Sequence, residues 1–528
     1  MQDFLSFIVS MTEITISKQM KTMKKNYLGI GLAAMSLLAI GCTKDYSDDA
    51  NGMMALYSFC DMMSTIPEAG GDKFDDFTDN PFVKTTDEPV STFSVDADGA
   101  SYAIMRRYLT YGYNINPSSV RIEEFLNYFT FNYTAPKGDD HVSIGAEVGD
   151  CPWNTGHHLL QLGIKGKELT ADEMPRANFV FLVDVSGSMN SSDKLDLLKK
   201  GLTELLYQLN PDDRISLITY SGTVKKLLES TPVSEADKIK KAISKLNASG
   251  STAGGEALKM AYEEALTNYD PKCNNRVIMG TDGDFNVGVT STDALVEIVE
   301  SYARKGIYMT CLGFGTGNLN DAMMEKVSNA GNGTYHYIDC ENEMMKVFVH
   351  ERSQFVSVAN DAKCQVSFNP DYVSEYRLIG YENRVMSNAD FENDKKDAGE
   401  IGAGQTITAL YEIVLKKDCW DTFNDLTVSN KNLVTFDFRY KKSLDGPSIP
   451  LKATLTADMP FNKYGRPDDF YFAAGVAAFG MILRDSPYKG DATIEMAKSL
   501  VKQGLSFDPN GYRAELLKLM DKKNEQPQ

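Results

Sequence analysis

One short stretch near the middle of the chain constrains the fold most strongly. Residues 178–189 read NFVFLVDVSGSM. The apolar run Phe179–Val183 predicts a strand that is buried on both faces. Asp184, Ser186 and Ser188 follow at alternate positions, just where the backbone must turn. The sequence therefore places a compact cluster of oxygen-bearing side chains at the end of a buried strand.

This cluster indicates a cation site. Open α/β sheets bind ligands beyond the carboxyl ends of their strands. Oxygen ligands with few charges suit Mg²⁺. We therefore predict a Mg²⁺ site here, with a turn cluster of polar caps as the alternative interpretation. Mn²⁺ and Ca²⁺ are alternative metals.

Two later segments extend the pattern. Residues 249–256 read SGSTAGGE and present Thr252 ahead of a helix. Residues 276–288 read RVIMGTDGDFNVG, a second buried strand ending in Asp282. The three segments, in this order, resemble the metal-ion-dependent adhesion site (MIDAS) of von Willebrand factor type A (VWA) domains.

The resemblance implies a role for each of the five residues. Ser186 and Ser188 would bind the metal through their hydroxyls, and Thr252 would join them in the ligand-competent state. Asp184 and Asp282 would act mainly through water. An Asp or Glu carboxylate of a protein partner would complete the octahedron around the metal.

The surrounding pattern predicts the VWA fold class. Apolar strands alternate with helices over residues 175–358, which indicates an α/β, doubly wound and mostly parallel sheet. The predicted strands are 178–184, 214–221, 224–230, 276–281, 307–313 and 334–338. The predicted helices are 193–209, 235–247, 254–267, 292–305, 319–330 and 341–357. Strands 214–221 and 224–230 are expected to form a hairpin with one antiparallel edge strand.

Composition changes along the chain suggest the remaining domains. The 528 residues are too many for one ordinary core. We predict a tether over 43–85, a small α+β domain over 86–174 and the VWA domain over 175–358. A β-rich and then helical domain is predicted over 359–525, with a sandwich-like first part.

The N-terminus resembles a bacterial lipoprotein signal, here residues 1–42. Basic residues within 21–25 precede an apolar stretch, 27–40, which runs into Gly41 and Cys42. The resemblance implies a diacylated Cys42 and a translation start at Met20 or Met23. A single-pass anchor is the alternative. The expected location is the bacterial outer membrane, on its periplasmic or cell-surface face.

Charge and motifs exclude several function classes. The net charge is -19, which argues against nucleic acid because phosphates require a basic surface. No nucleotide-binding fingerprint is present: the Gly-rich residues 313–317 have neither the spacing of a dinucleotide site nor a P-loop lysine. The hydrolase motifs GxSxG and HExxH are absent as well.

A wider resemblance covers nearly all of the chain after residue 80. The upstream segments STFSVDADGASYA and RIEEFLNYF and the downstream segments LGFGTGNLND and GYRAELLKL are similar to those of bacterial VWA proteins with family-specific regions on both sides. The resemblance implies a non-enzymatic lipoprotein that binds a protein partner through the metal. The alternatives are a structural component of an envelope assembly, with the metal only steadying a loop, and a metal-dependent hydrolase.

Overall fold

The computed structural model describes residues 71–95, 98–250, 255–283, 291–396, 398–416, 432–456 and 467–525. All of them belong to one compact unit, Glu68–Gln528. The expectations for the signal segment, for Cys42 and for Thr252 concern residues outside these ranges. Within the described ranges, no helix combines the length and the apolar character needed to cross a membrane.

The elements of the described residues are as follows. The strands are β1 (Val83–Lys84), β2 (Val90–Ser94), β3 (Val142–Asp150), β4 (His158–Gly166), β5 (Ala177–Asp184), β6 (Arg214–Tyr220), β7 (Val224–Pro232), β8 (Asn274–Thr281), β9 (Tyr308–Phe314), β10 (Tyr335–Ile338), β11 (Ser357–Phe368), β12 (Val373–Ile379), β13 (Val385–Met386), β14 (Gly399–Gly402), β15 (Thr406–Leu415), β16 (Asn432–Lys441) and β17 (Ser448–Thr456). The α-helices are α1 (Ala100–Tyr111), α2 (Ile122–Asn127), α3 (Leu195–Leu206), α4 (Ala236–Ser244), α5 (Gly255–Thr267), α6 (Thr292–Ala303), α7 (Asp321–Ala330), α8 (Glu341–Met345), α9 (Pro467–Leu483), α10 (Ile494–Gln503) and α11 (Tyr512–Glu525).

The middle of the chain forms a doubly wound sheet with the strand order β10-β9-β8-β5-β6-β7. Neighbouring strands are parallel except β6 and β7, which form an antiparallel hairpin at one edge. Alternate side chains of β5 enter two different cores. Phe179 and Phe181 pack with α3, and Val180 and Leu182 pack with α5. The predicted α/β fold class and the predicted antiparallel edge strand are confirmed.

The last predicted helix of this domain, 341–357, is shorter than expected. The α-helix ends at Met345, continues as one π-helical turn over Lys346–His350, and is followed by a 3₁₀ turn over Arg352–Phe355. The apolar spacing of these residues resembles that of a longer helix. However, Phe355 turns into the core of the sheet, and β11 starts two residues later.

The predicted domains 86–174 and 359–525 are not separate, and we call their described residues, together with β1 and the whole of β11, the flanking body. One of its sheets has the order β1-β12-β15-β4-β3 and the other β13-β2-β11-β16-β17. Each sheet therefore combines strands from both ends of the chain. Side chains of both sheets share one core, which confirms a sandwich-like packing. The separate-domain prediction was wrong because these strands pair across the intervening VWA domain.

A helical layer completes the flanking body. Helix α9 is apolar on all sides (FYFAAGVAAFGMIL), and such a helix must be buried on all sides. It packs with α2, α10 and α11 in one apolar cluster. The predicted helical character of the last part of 359–525 is thus confirmed.

Part of the predicted tether belongs to the folded unit. Strand β1 pairs with β12 of the flanking body. Further upstream, the carboxylate of Asp72 accepts hydrogen bonds from the backbone N–H groups of Gly317 and Leu319, at 2.7 and 3.1 Å, and from the Tyr108 hydroxyl at 2.6 Å. The tether prediction for 71–85 was wrong because polar composition does not show which backbone groups will find partners.

Candidate metal site

Asp184 lies at the carboxyl end of the central strand β5 and is completely buried. Its Oδ1 accepts a hydrogen bond from the backbone N–H of Ser186 at 2.8 Å. Its Oδ2 accepts one from the hydroxyl of Thr281, on the neighbouring strand β8, at 3.1 Å. Burial, together with the nearby charge of Asp282, raises the pKa of Asp184 to about 6. Two hydrogen bonds thus fix the orientation of this carboxylate, and a cation bound beside it would favour its charged form.

The two serines lie on the turn that follows β5. The Oγ atoms of Ser186 and Ser188 are 2.9 Å apart, so the two hydroxyls face the same place. Ser186 is buried, whereas Ser188 is exposed. Gly187 donates its backbone N–H to the carbonyl of Gly250 at 3.0 Å, which holds the turn against the Gly-rich segment. The cluster is therefore buried on the side of Ser186 and exposed to solvent on the side of Ser188.

Asp282 follows β8, which lies beside β5 in the parallel sheet. Both strands end at the same edge, and this brings Asp282 close to Asp184. Asp282 is completely buried. Its Oδ2 is 2.9 Å from the ammonium of Lys194, and its Oδ1 has no hydrogen-bond partner within the described part of the chain.

The described side chains fit a small divalent cation. Two buried carboxylates and two hydroxyls converge, and all four groups offer the oxygen atoms that Mg²⁺ prefers. A buried carboxylate oxygen without a partner is costly unless something binds it, which favours an ion or its water at Asp282 Oδ1. Across the described ranges, no group of three or more His, Cys, Asp or Glu side chains is arranged for a metal. A site here would therefore rely on its hydroxyls.

The structure thus brings together four of the five predicted residues, Asp184, Ser186, Ser188 and Asp282. Thr252 lies outside the described residues.

Two residues of this site were missed by the sequence analysis. Thr281 was read only as the end of a buried strand, although its hydroxyl binds Asp184. Lys194 was predicted only as part of a helix, and its ammonium contacts Asp282 and the backbone carbonyl of Ser188. Its position in the sequence could have indicated this contact, because Lys194 is the first basic residue after the Asp-x-Ser-x-Ser segment.

The site has no histidine that could serve as a general base. All five histidines of the chain are described, and each interacts elsewhere: His141 with Val358, His157 with Glu412, His158 with Asp150, His336 with Thr334 and His350 with Tyr512. The described site therefore offers hydroxyl and carboxylate oxygens and no imidazole.

Comparisons with known protein families agree with this architecture. The family described as "von Willebrand factor type A domain" matches residues 178–349. A family described as "von Willebrand factor" matches residues 68–161, and one described as "Uncharacterized protein YfbK, C-terminal" matches residues 353–525. The family matches therefore cover the VWA sheet and both sequence segments of the flanking body.

Individual relatives extend the comparison. "Uncharacterized protein YfbK" of Escherichia coli is 37% identical over 480 residues, covering 86% of this chain and 82% of that protein. "Inter alpha-trypsin inhibitor, heavy chain 4" of Mus musculus is 29% identical over 202 residues, covering 36% of this chain and 21% of that protein. The solved structure "von Willebrand factor type A from Catenulispora acidiphila" has a TM-score of 0.41 at 15% identity, covering 74% of this chain and 91% of that one.

None of these names describes an enzyme. VWA domains are typically interaction modules, and many bind a divalent metal at a MIDAS. The identity to YfbK extends over most of both chains and includes the flanking regions. The chain therefore belongs to the family of bacterial VWA-domain proteins that includes YfbK, with family-specific regions on both sides of the VWA domain.

Proposed function

We propose that this chain is a non-enzymatic lipoprotein of the bacterial cell envelope that binds a protein partner through a divalent cation, Mg²⁺ in the first place. Its cation-binding residues would be Asp184, Ser186, Ser188, Thr252 and Asp282. Cys42 would carry the lipid that anchors it at the outer membrane. The partner would contribute an Asp or Glu carboxylate.

One observation carries this proposal: the convergence of oxygen donors at the end of β5, with one side of the cluster open. Asp184 and Asp282 are buried and cannot be reached by a large partner, whereas Ser188 is exposed. A ligand must therefore approach from the side of Ser188. Of the four described donor residues only Ser188 is exposed, so we expect the partner to contribute a single side chain there.

The aspartates and the serines would have different roles in binding the cation. The two buried aspartates provide the negative charge that attracts a cation. The serine hydroxyls are neutral donors and compensate little of the cation's charge. A bound Mg²⁺ would therefore stay electrophilic toward a carboxylate at its open position. Such a bond, at the centre of an otherwise polar contact, is a candidate hot spot for binding.

The test is capture of envelope proteins by the full chain, purified in detergent, in Mg²⁺ and in EDTA. We expect a partner to be retained in Mg²⁺ and to fall at least about tenfold in EDTA. Asp184→Ala should lose the partner even in Mg²⁺, because it removes one of the two buried carboxylates of the described site.

The matched control for Asp184→Ala is Asp196→Ala. Asp196 lies in the first turn of α3 and its side chain is 70% exposed. This variant also loses one carboxylate but should capture the partner as the wild type does. A partner retained equally in Mg²⁺, in EDTA and by Asp184→Ala would contradict the proposal and would assign binding to the flanking body.

A further inference from the structure

Lys194 is placed as a counter-ion inside the candidate metal site. Its ammonium is 2.9 Å from Oδ2 of Asp282 and donates a hydrogen bond to the backbone carbonyl of Ser188 at 3.0 Å. The side chain is 12% exposed. A long cationic side chain ordinarily keeps its charge in water. In this structure the ammonium of Lys194 instead contacts the buried carboxylate of Asp282.

The space for this side chain is built into the loop after β9. Gly315 has a φ of +69°, in the left-handed region that favours glycine. A Cβ at this position would lie 2.0 Å from Cε of Lys194, far inside van der Waals contact. Any other residue at Gly315 would therefore displace the lysine. The observed position of the Lys194 side chain therefore requires glycine at position 315.

Lys194 offsets part of the negative charge of the site. The site holds the two carboxyl groups of Asp184 and Asp282, and the ammonium of Lys194 pairs with the second of them. Lys194 occupies only one oxygen of Asp282, and the other oxygen, Oδ1, has no hydrogen-bond partner among the described residues. The lysine thus lowers the negative potential of the site without occupying all of its oxygen donors.

We propose that Lys194 lowers the affinity of this site for its divalent cation. The metal is then bound weakly by the protein and still binds a carboxylate of the partner. This inference rests on the proposed function, since it assumes a cation at Asp184 and Asp282. The ammonium of Lys194 and a divalent cation bound to the same carboxylate of Asp282 would repel each other, and partial burial weakens the screening of that repulsion by solvent. Removing the ammonium should therefore tighten metal binding.

The opposite expectation applies if Lys194 only positions its neighbours. In that case its bonds to Asp282 and to the Ser188 carbonyl hold the donors in place, and removing them would loosen metal binding. The direction of the change therefore distinguishes a charge effect from a structural one.

The experiment is calorimetric titration of Mg²⁺ into the full chain as wild type, Lys194→Met and Lys200→Met. Methionine keeps an unbranched side chain of similar length and removes the charge. We expect Lys194→Met to bind Mg²⁺ at least about tenfold more tightly than the wild type. Lys200 lies on α3, its side chain is 49% exposed and it pairs with Glu341. Because solvent and salt screen its charge, Lys200→Met should bind within about twofold of the wild type.

An unchanged or weaker affinity in Lys194→Met, or no Mg²⁺ binding in either protein, would overturn the inference. Thermal unfolding in EDTA shows whether the variant is folded. The partner-capture test is done at saturating Mg²⁺, where a change in metal affinity has little effect. It can therefore fail or succeed independently of this titration.

Discussion

Replacing Arg121 with methionine is expected to lower the free energy of unfolding by about 3–5 kcal/mol. The Arg121 guanidinium donates to Glu124 of α2 and makes two bonds, at 2.6 and 3.0 Å, to Asp321 at the start of α7. Both carboxylates are completely buried. The substitution would deprive them of their common cation and would weaken the contact between the flanking body and the VWA sheet.

Urea denaturation followed by circular dichroism measures this effect, and Arg304→Met is the matched control. Arg304 pairs with Glu300 on α6, but its side chain is 76% exposed. An exposed pair of this kind contributes at most about 0.5 kcal/mol. Equal losses in the two variants would show that burial of the Arg121 cluster has no energetic consequence.

Glu412→Ala should destabilise the flanking body by a similar amount, about 3–5 kcal/mol. Glu412 lies on β15 and is 1% exposed. Its carboxylate accepts hydrogen bonds from Trp153 at 3.2 Å and from Arg377 at 3.1 Å, and lies 2.6 Å from Nδ1 of His157. Alanine would leave the fully buried Arg377 charge without this carboxylate.

The control for this variant is Glu173→Ala. Glu173 pairs with Lys167 at 2.9 Å; the Glu173 side chain is exposed and that of Lys167 is half-buried. Its replacement should cost much less stability than Glu412→Ala in the same denaturation experiment, because solvent screens an exposed pair. A Glu412→Ala protein as stable as Glu173→Ala would contradict the importance given to the buried pair.

The VWA sheet could be predicted because its signals are local. The apolar run before Asp184 and the one before Asp282 each specify a buried strand, and parallel strands end at one edge of the sheet. The proximity of Asp184 and Asp282 could be predicted from these two properties of the strands. The metal and the partner are not established by the fold and stay predictions.

The flanking body could not be predicted in the same way. Strand β4 pairs with β15, and Leu162 lies opposite Ala409 although the whole VWA domain separates them along the chain. Alternating apolar residues predict each strand but not its distant neighbour, because any strand of similar pattern could pair with it. The sequence therefore suggested two separate flanking domains where the fold has one.

Lys194 shows a second limit of sequence interpretation. A lysine at the start of an amphipathic helix ordinarily lies in water. Its burial beside Asp282 depends on Gly315, which lies more than a hundred residues away in the chain. Only the assembled fold shows that the charge of Lys194 belongs to the metal site.

The central claim is that the residues at the end of β5 hold a divalent cation, and titration of Mg²⁺ into the wild type and Asp184→Ala tests it most directly. We predict one saturable site in the wild type and a loss of affinity of at least about a hundredfold in Asp184→Ala, because that variant removes a buried carboxylate of the site. A wild-type chain that binds no Mg²⁺, Mn²⁺ or Ca²⁺, or a variant that binds as the wild type does, would contradict the account.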